Sequence, residues 1–324
     1  GHLAPGATEP EWLYYPHTQF DGIGAWAEIM RGRGVQLKKL PCIKYYSAYS
    51  LLGSAFKHWP RYFLPRRSLP LEPLPQSVPP GTFQSGPPTA VAWHVFDPVL
   101  TYRLRQDSHQ IGLTVNTLLL HCLAKAIRPL FQDPAAAIPW MIPVNMRGGV
   151  NQYRDTDNHT SYVIVNIHPR MTPGDVHRRI LLALSRGQHW GNWHAFKLAH
   201  VFPPAVRRYL VRNGLAISQW NIGSFSNLGE WDPDKAFNGP RVAGAWLFCP
   251  PALRTQLIAA GCITFQGQLS ITMQAHPELT TSPEIVKDWV HAWVGAVEHA
   301  LKQCAKLPPW RLTEAEAREY WLRM

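Results

Sequence analysis

The sequence places a histidine and an aspartate four residues apart in the segment H-T-Q-F-D-G, residues 17–22. The preceding aromatic run E-W-L-Y-Y, residues 11–15, predicts a strand, and Ala25 to Met30 predict a helix. An unperturbed imidazole, with a pKa of about 6.5, exchanges protons near neutral pH. A turn between strand and helix also fixes a side chain better than a loose loop does. We therefore predict that His17 is a general base.

The next two candidates, Asp21 and Gly22, have structural and catalytic interpretations. Asp21 can orient the His17 imidazole as in a catalytic triad, pair with a cation elsewhere, or be an exposed carboxylate with no fixed partner. Gly22 suits a turn that needs a positive φ or a close backbone approach, and Gly24 gives further space. The sequence alone leaves the alternatives for Asp21 open.

Further polar segments follow in a fixed order along the chain: P-V-N-M-R at 143–147, D-N at 157–158, F-S-N-L-G at 225–229 and G-Q-L at 267–269. Together with H-x-x-x-D-G at 17–22, they resemble the pattern of the chloramphenicol-acetyltransferase-like (HxxxDG) acyltransferase superfamily. The nearest branches are the condensation domains, the wax ester synthases and the alcohol acyltransferases. The resemblance covers most of residues 10–303, and the shared order is more specific than any single motif.

The resemblance implies an α/β (α+β) fold, a two-lobe sandwich like that of the CoA-dependent acyltransferases, in which helices flank a mixed β-sheet. It implies that His17 activates a hydroxyl or amine for direct attack on a thioester, without a covalent acyl-enzyme, a metal or a bound cofactor. The acyl donor would be an acyl-CoA or a phosphopantetheine-linked chain. Asp21 would then pair with Arg147 from the second lobe, and Asn158 would support the same clamp.

Acyl transfer also needs donors for the negative charge that develops on the thioester oxygen. Ser226 and Asn227 are the candidates, with Ser224 as a substitute. The alternative for these residues is ordinary turn chemistry at the end of a strand.

The sequence departs from the family pattern at three points. Pro16 stands where many relatives have a second histidine, only sixteen residues precede His17, and no D-F-G-W-G-like motif occurs. We therefore expect an incomplete N-terminal lobe: missing from this sequence, supplied by another chain, or lost in an inactive relative.

Composition bounds the class of protein. The 324 residues are 46% hydrophobic and 16% charged, which is typical of a folded protein, and no apolar run reaches the roughly 18 residues of a spanning helix. Five scattered cysteines indicate neither a disulfide framework nor a zinc site. We expect a cytoplasmic protein, with peripheral contact to the inner membrane through Tyr45 to Arg67 as an alternative to core packing of that segment.

The net charge of +11 favours anionic partners, among them an acidic acyl or peptidyl carrier protein and a phosphorylated donor. The basic residues occur in pairs and not in long runs, which disfavours nucleic acid. The acceptor is expected to be a small molecule or a lipid. The remaining hypotheses are a condensation-type domain that acts on carrier-bound substrates and a catalytically inactive docking lobe.

Four regions are predicted along the chain. Residues 1–59 form the remainder of the N-terminal lobe with the HxxxDG turn, and a proline-rich crossover spans 60–90. Residues 91–304 form the C-terminal lobe, and 305–324 a helical tail. Strands are predicted at 91–96, 140–144, 161–167, 223–228, 243–248 and 268–274, and helices from Thr114 to Pro129, Pro173 to Arg186 and Ser282 to Lys302.

Overall fold

A computed structural model gives the arrangement of the chain. It describes residues 1–37, 39–42, 71, 74–79, 90–199, 202–203, 205–206, 223–231, 237–238, 243–254, 256–304, 309–311 and 313. Most of the predicted crossover, the segment Tyr45 to Arg67 and nearly all of the predicted tail lie outside these residues. The division into four regions therefore stays a prediction.

A mixed six-stranded sheet forms the centre of the structure. Its strands are β3 (Ala90–Val95), β4 (Ile138–Asn145), β5 (Thr160–Ile167), β6 (Gly223–Trp231), β9 (Ile258–Phe265) and β10 (Gln268–Ala275), in the spatial order β3-β10-β9-β6-β4-β5. The β4–β6 and β6–β9 pairs are parallel, and the other three are antiparallel. Two short ribbons pair β1 (His2–Leu3) with β8 (Ala245–Trp246), and β2 (Gln36–Leu37) with β7 (Phe237–Asn238).

Six α-helices are present in the described part of the chain. They are α1 (Gly22–Gly32), α2 (Pro98–Gln110), α3 (Val115–Ala126), α4 (Pro173–Ser185), α5 (Gln188–Ala199) and α6 (Pro283–Cys304). Thr114 caps α3, and a capping box of Thr172 and Asp175 begins α4, so polar side chains satisfy the free backbone N–H groups at both starts. A 3₁₀ turn, Arg128–Leu130, follows α3.

The main core lies between one face of the sheet and the helices α3, α4 and α6. Ile258, Ala260 and Cys262 of β9 point into it, and the alternation of a strand sends Ile263 and Phe265 to the opposite face. On that opposite face, Trp26 and Met30 of α1 pack in a second, aromatic cluster. The sheet therefore carries α1, which begins at the end of the predicted catalytic segment, on the face away from the main core.

The edge strand β5 is covered by α5. Gln188 Oε1 accepts a hydrogen bond from the Ile164 N–H at 3.2 Å, and Asn192 Nδ2 donates one to the Tyr162 carbonyl at 2.7 Å. Two side chains one helical turn apart thus satisfy outward-facing backbone groups of this edge. Side chains of α5 therefore bind backbone groups of β5 that a further strand would otherwise bind.

No helix in the described ranges is by itself long and apolar enough to cross a membrane. One pair, Pro98–Gln110 with Val115–Leu130, meets the length and composition test only when taken together, and it is bent by 103°.

The prediction of a mixed sheet with flanking helices is confirmed, and most predicted elements occur within a few residues of their expected bounds. The strand predicted at residues 11–15 is wrong. Glu11 makes one isolated bridge with His2, and residues 12–15 form no strand, since prolines at both ends of the run remove backbone donors and β1 already pairs with β8. The strand predicted at 243–248 is only the two residues of β8, and α2, α5 and β9 were not predicted.

Candidate active site

A buried ion pair joins the two parts of the predicted motif. Arg147 Nη1 donates to Asp21 Oδ2 at 2.8 Å, and Nη2 donates to Oδ1 at 2.8 Å, so the pair is bidentate. Asp21 is 3% exposed and Arg147 4%. The family resemblance implied that Asp21 pairs with Arg147, and the structure brings the two side chains into contact.

The Asp21 carboxylate also holds two backbone N–H groups. Oδ1 accepts from Gly24 N at 2.7 Å, which makes Asp21 the N-cap of α1, and Oδ2 accepts from His159 N at 2.8 Å. Two donors therefore meet each oxygen. Burial of a carboxylate is costly unless such partners replace its water, and here four do so.

Arg147 is held equally firmly on its own side. Its Nε donates to the carbonyl of Asp155 at 2.8 Å, and Nη2 donates to that of Asp157 at 3.1 Å. Asn145 Oδ1 accepts from Nη1 at 3.2 Å and from the Arg147 backbone N–H at 3.0 Å. The guanidinium thus ties the loop between β4 and β5 to the N-terminus of α1.

His17 is exposed, in a turn where the Gln19 and Phe20 N–H groups donate to the Pro16 carbonyl at 3.0 and 3.1 Å. Its Nδ1 lies 3.1 Å from the Phe20 carbonyl oxygen, which can only accept. Nδ1 therefore carries the proton in the neutral ring, and the lone pair is on Nε2. Because the four donors above meet its oxygens, Asp21 does not orient the imidazole as in a triad; Phe20 does so.

Asn158 connects the loop to the turn. Its Nδ2 donates to the His17 carbonyl at 3.0 Å, and its Oδ1 accepts from Thr160 N at 3.0 Å. Next to Asn158, Asp157 forms an isolated antiparallel β-bridge with Phe20. The loop therefore contacts the His17 backbone as well as Asp21.

Gly22 and Gly24 occupy positions with no room for a side chain. A Cβ on Gly22 would lie 2.6 Å from a methyl group of Leu228 and 2.8 Å from the Phe248 ring. A Cβ on Gly24 would lie 1.9 Å from the Thr156 carbonyl oxygen. The requirement here is close approach, since neither glycine has a positive φ.

The oxyanion candidates lie on β6. Ser224 and Ser226 flank Phe225, which faces the main core, so the alternation of the strand turns both serines toward the face that carries α1. Asn227 Oδ1 accepts from Gly229 N at 2.8 Å in a local turn, beside the irregular pairing of β6 with β9. The contact of Gly22 with Leu228 brings this segment next to the start of α1. The role of these side chains as oxyanion donors stays a prediction.

Three residues of this network were missed by the sequence prediction: Asn145, Asp155 and Arg31, the last two of which form a bidentate pair near the C-terminus of α1. Asn145 lies within the P-V-N-M-R segment, two residues before Arg147, so a local signal existed. Nothing in the sequence relates Arg31 to Asp155, 124 residues away.

Comparison with solved structures identifies the fold. The epimerization domain from the third module of tyrocidine synthetase B is similar with a TM-score of 0.51 and 13% identity, over 90% of this chain and 68% of that one. The cyclization–docking bidomain of EpoB from Sorangium cellulosum gives 0.53 and 13%, over 90% and 59%. The condensation domain of the monacolin K polyketide synthase MokA gives 0.52 and 9%, over 91% and 64%.

These similarities show that the chain has the fold of condensation domains, which are one of the three branches that the sequence motifs resemble. The chain spans about three fifths to two thirds of the length of the three structures. No protein-family model matches the sequence, and no curated protein matches it. At 9 to 13% identity the likeness concerns the fold alone.

Proposed function

We propose that this protein transfers an acyl group from a thioester to a hydroxyl or amine, with His17 as the general base. One observation carries the proposal. The imidazole is open to solvent, Nδ1 is engaged by the Phe20 carbonyl, and Nε2 is therefore the basic nitrogen on a turn clamped by Asp21 and Arg147. Positioning of this kind supports general-base catalysis.

In the proposed reaction, Nε2 removes the proton from the acceptor hydroxyl or amine as its oxygen or nitrogen attacks the thioester carbonyl carbon. The new C–O or C–N bond gives a tetrahedral intermediate with a negative oxygen. Collapse of the intermediate breaks the C–S bond, and the thiolate leaves with the proton returned from Nε2. The steps balance without an acyl-enzyme.

Ser226 and Asn227, with Ser224 as the substitute, are the proposed donors to the oxyanion. The position of Ser224 and Ser226 on the sheet face that carries α1 supports this assignment, and Asn227 follows Ser226 where the pairing of β6 with β9 becomes irregular. Since the Asn227 side-chain oxygen already accepts from Gly229, its Nδ2 would be the donor. Donors set in place before the reaction would stabilise the charge without reorganisation.

The donor is proposed to be an acyl-CoA or an acyl chain on a carrier-protein pantetheine. The +11 charge supports either, because both bring phosphate groups and carrier proteins are acidic. The condensation-type fold supports the variant in which the protein forms an amide or ester between carrier-bound substrates.

A second candidate is a docking lobe that binds a carrier protein but does not catalyse transfer. Pro16, in place of the second histidine of many relatives, is the observation that favours it. In this variant the Asp21–Arg147 clamp would serve only the fold.

Intact-mass analysis of products tests the proposal. The protein is incubated with a panel of acyl-CoAs, or with the same acyl chains on a holo carrier protein, together with hydroxyl and amine acceptors. We expect an acylated acceptor and a released thiol in at least one arm, and the productive arm identifies the donor. Binding of the holo carrier protein with no product from any arm would favour the docking lobe and contradict the catalytic proposal.

A further inference from the structure

We propose that Asp155, together with Arg31, is a positioning residue for His17 that acts through the loop between Arg147 and His159. The inference deepens the proposed function, and rests on it, because the position of His17 matters only if that imidazole works as the base.

The first step is the contact between the end of α1 and the loop. Arg31 Nη1 donates to Asp155 Oδ1 at 3.1 Å, and Nη2 donates to Oδ2 at 2.6 Å. This is the parallel, two-bond geometry that gives an arginine–carboxylate pair its directional stiffness. Lysine in place of Arg31 would keep the charge but lose that geometry.

The second step is the path from Asp155 to the turn. The Asp155 carbonyl accepts from Arg147 Nε, so the same residue that meets Arg31 through its side chain meets Arg147 through its backbone. Two residues on, Asp157 pairs with Phe20, whose carbonyl orients the His17 ring. Asn158 then donates to the His17 carbonyl.

The third step is the fit of the loop on α1. Thr156 passes over Gly24 so closely that any side chain there would collide with its carbonyl oxygen. The loop is therefore fixed near the N-terminus of α1 by Gly24 and Asp21, and near the C-terminus by Arg31. Loss of the Arg31 contact would release the loop from the C-terminal part of α1.

The fourth step is the small cost in stability. The Arg31 side chain is 39% exposed and that of Asp155 54%, and exposed ion pairs contribute little to stability. The hydrogen bond from Arg31 nevertheless holds the pKa of the Asp155 carboxyl below its usual value, so the pair is intact at neutral pH. A change at this pair should therefore affect geometry more than stability.

The test reads the His17 tautomer directly, by long-range ¹H–¹⁵N NMR of the imidazole at a pH where the ring is neutral. We expect wild type to show mainly the Nδ1–H form. In Asp155→Asn and Arg31→Gln the Nε2–H fraction should rise at least about two-fold, with Arg31→Lys in between, because Phe20 and Asn158 hold the turn less firmly. The charge-reversed double variant, Arg31→Asp with Asp155→Arg, should recover part of the wild-type ratio.

Arg105→Gln is the matched control. Arg105 donates to Glu230 at 2.7 Å, and their side chains are 55% and 38% exposed, but this pair joins α2 to β6 and not α1 to the loop. The control should match wild type in both melting temperature and tautomer ratio. If Asp155→Asn and Arg31→Gln, folded as judged by melting temperature, show the wild-type ratio, or if Arg105→Gln shifts it equally, the proposal is wrong.

The NMR readout does not depend on turnover. A tautomer shift in a protein that forms no acyl product would support the positioning role and reject the enzymatic one. An unchanged tautomer ratio in variants of an active enzyme would support the enzymatic role and reject the positioning role of Asp155 and Arg31.

Discussion

The Asp21 carboxylate shows how one residue can hold several parts of a candidate site together through hydrogen bonds. Its two oxygens accept hydrogen bonds from Gly24, His159 and both terminal nitrogens of Arg147. It thereby ends the turn that carries His17 and begins α1. Asp21 is a positioning residue in the proposed reaction.

Asp21→Ala should destabilise the protein by about 3–5 kcal/mol, because Arg147 would be left as a buried cation without its carboxylate. Urea denaturation measures the free energy of unfolding. The double variant Asp21→Ala with Arg147→Met should lose less than the sum of the two single variants, since the orphaned charge is removed as well. Additive losses would contradict a coupled buried pair.

The sequence motifs predicted His17, Asp21, Arg147 and Asn158 as site residues, because the motifs resemble a family pattern in which these positions belong together. They did not identify the carbonyl groups of Phe20, Asp155 and Asp157, which complete the contacts. Every residue has a backbone carbonyl, so the sequence does not mark which carbonyl accepts a hydrogen bond. The Arg31–Asp155 contact depends on the tertiary path of a loop. These parts of the site required coordinates.

At the scale of elements, the backbone of α1 lies directly against the 147–159 loop at Gly24, in addition to the contacts that the Asp21 and Arg31 side chains make with the same loop. Thr156 lies against Gly24, and Gly22 lies against Leu228 of β6. Each contact fixes the helix to a different partner, the first to the loop and the second to the strand that carries the oxyanion candidates. The turn is positioned from two sides.

Gly24→Ala should destabilise the protein by at least about 1–3 kcal/mol, since the new Cβ would lie 1.9 Å from the Thr156 carbonyl oxygen and must displace the loop. Gly32→Ala, in the same helix, is the control. No atom lies within 4 Å of its Cβ position, so the change should be neutral or stabilising by up to about 1 kcal/mol. Thermal unfolding gives the melting temperature of both variants. Equal melting temperatures for Gly24→Ala and Gly32→Ala would show that the close approach at Gly24 is not required.

Strand β9 and helix α5 were not predicted from the sequence, because neither has a clear hydrophobic periodicity. The strand β9 reads I-A-A-G-C-I-T-F with no polar alternation, since both of its faces are buried. Gly261 is there because a Cβ would lie 2.1 Å from the Phe248 carbonyl oxygen, where the chain crosses the sheet. Helix α5 reads Q-H-W-G-N-W-H-A-F-K-L-A, and the histidine, asparagine and glutamine residues among its aromatic ones leave no clear apolar stripe. Its contacts with the sheet edge depend on Gln188 and Asn192.

At the scale of the molecule, burial of histidines links the fold to pH. Burial is the largest cause that lowers the pKa of His121, to about 4, and it also lowers the pKa of His94, His177 and His276. His121 is 5% exposed, and its Nε2 donates to the Met171 carbonyl at 3.0 Å. These rings are neutral in the folded protein near neutral pH.

The folded protein should lose stability as the pH falls from about 6.5 toward 4. The unfolded chain binds protons on these histidines over that range and the folded chain does not, and His121 alone accounts for about 3 kcal/mol at the lower limit. His121→Gln, which keeps a donor for Met171 but cannot titrate, should reduce the dependence. Denaturation curves at pH 7 and pH 5 give the free energy of unfolding at each pH. If that free energy falls by the same amount in wild type and in His121→Gln, this explanation is wrong.

The most direct test of the account is the rate of thioester consumption by His17→Ala, compared with wild type and with His109→Ala, for the acyl donor and acceptor that give product. The account predicts a loss of at least about 100-fold in kcat with an unchanged melting temperature, and wild-type rates for His109→Ala. Turnover by folded His17→Ala within a few-fold of wild type would show that the exposed imidazole is not the base.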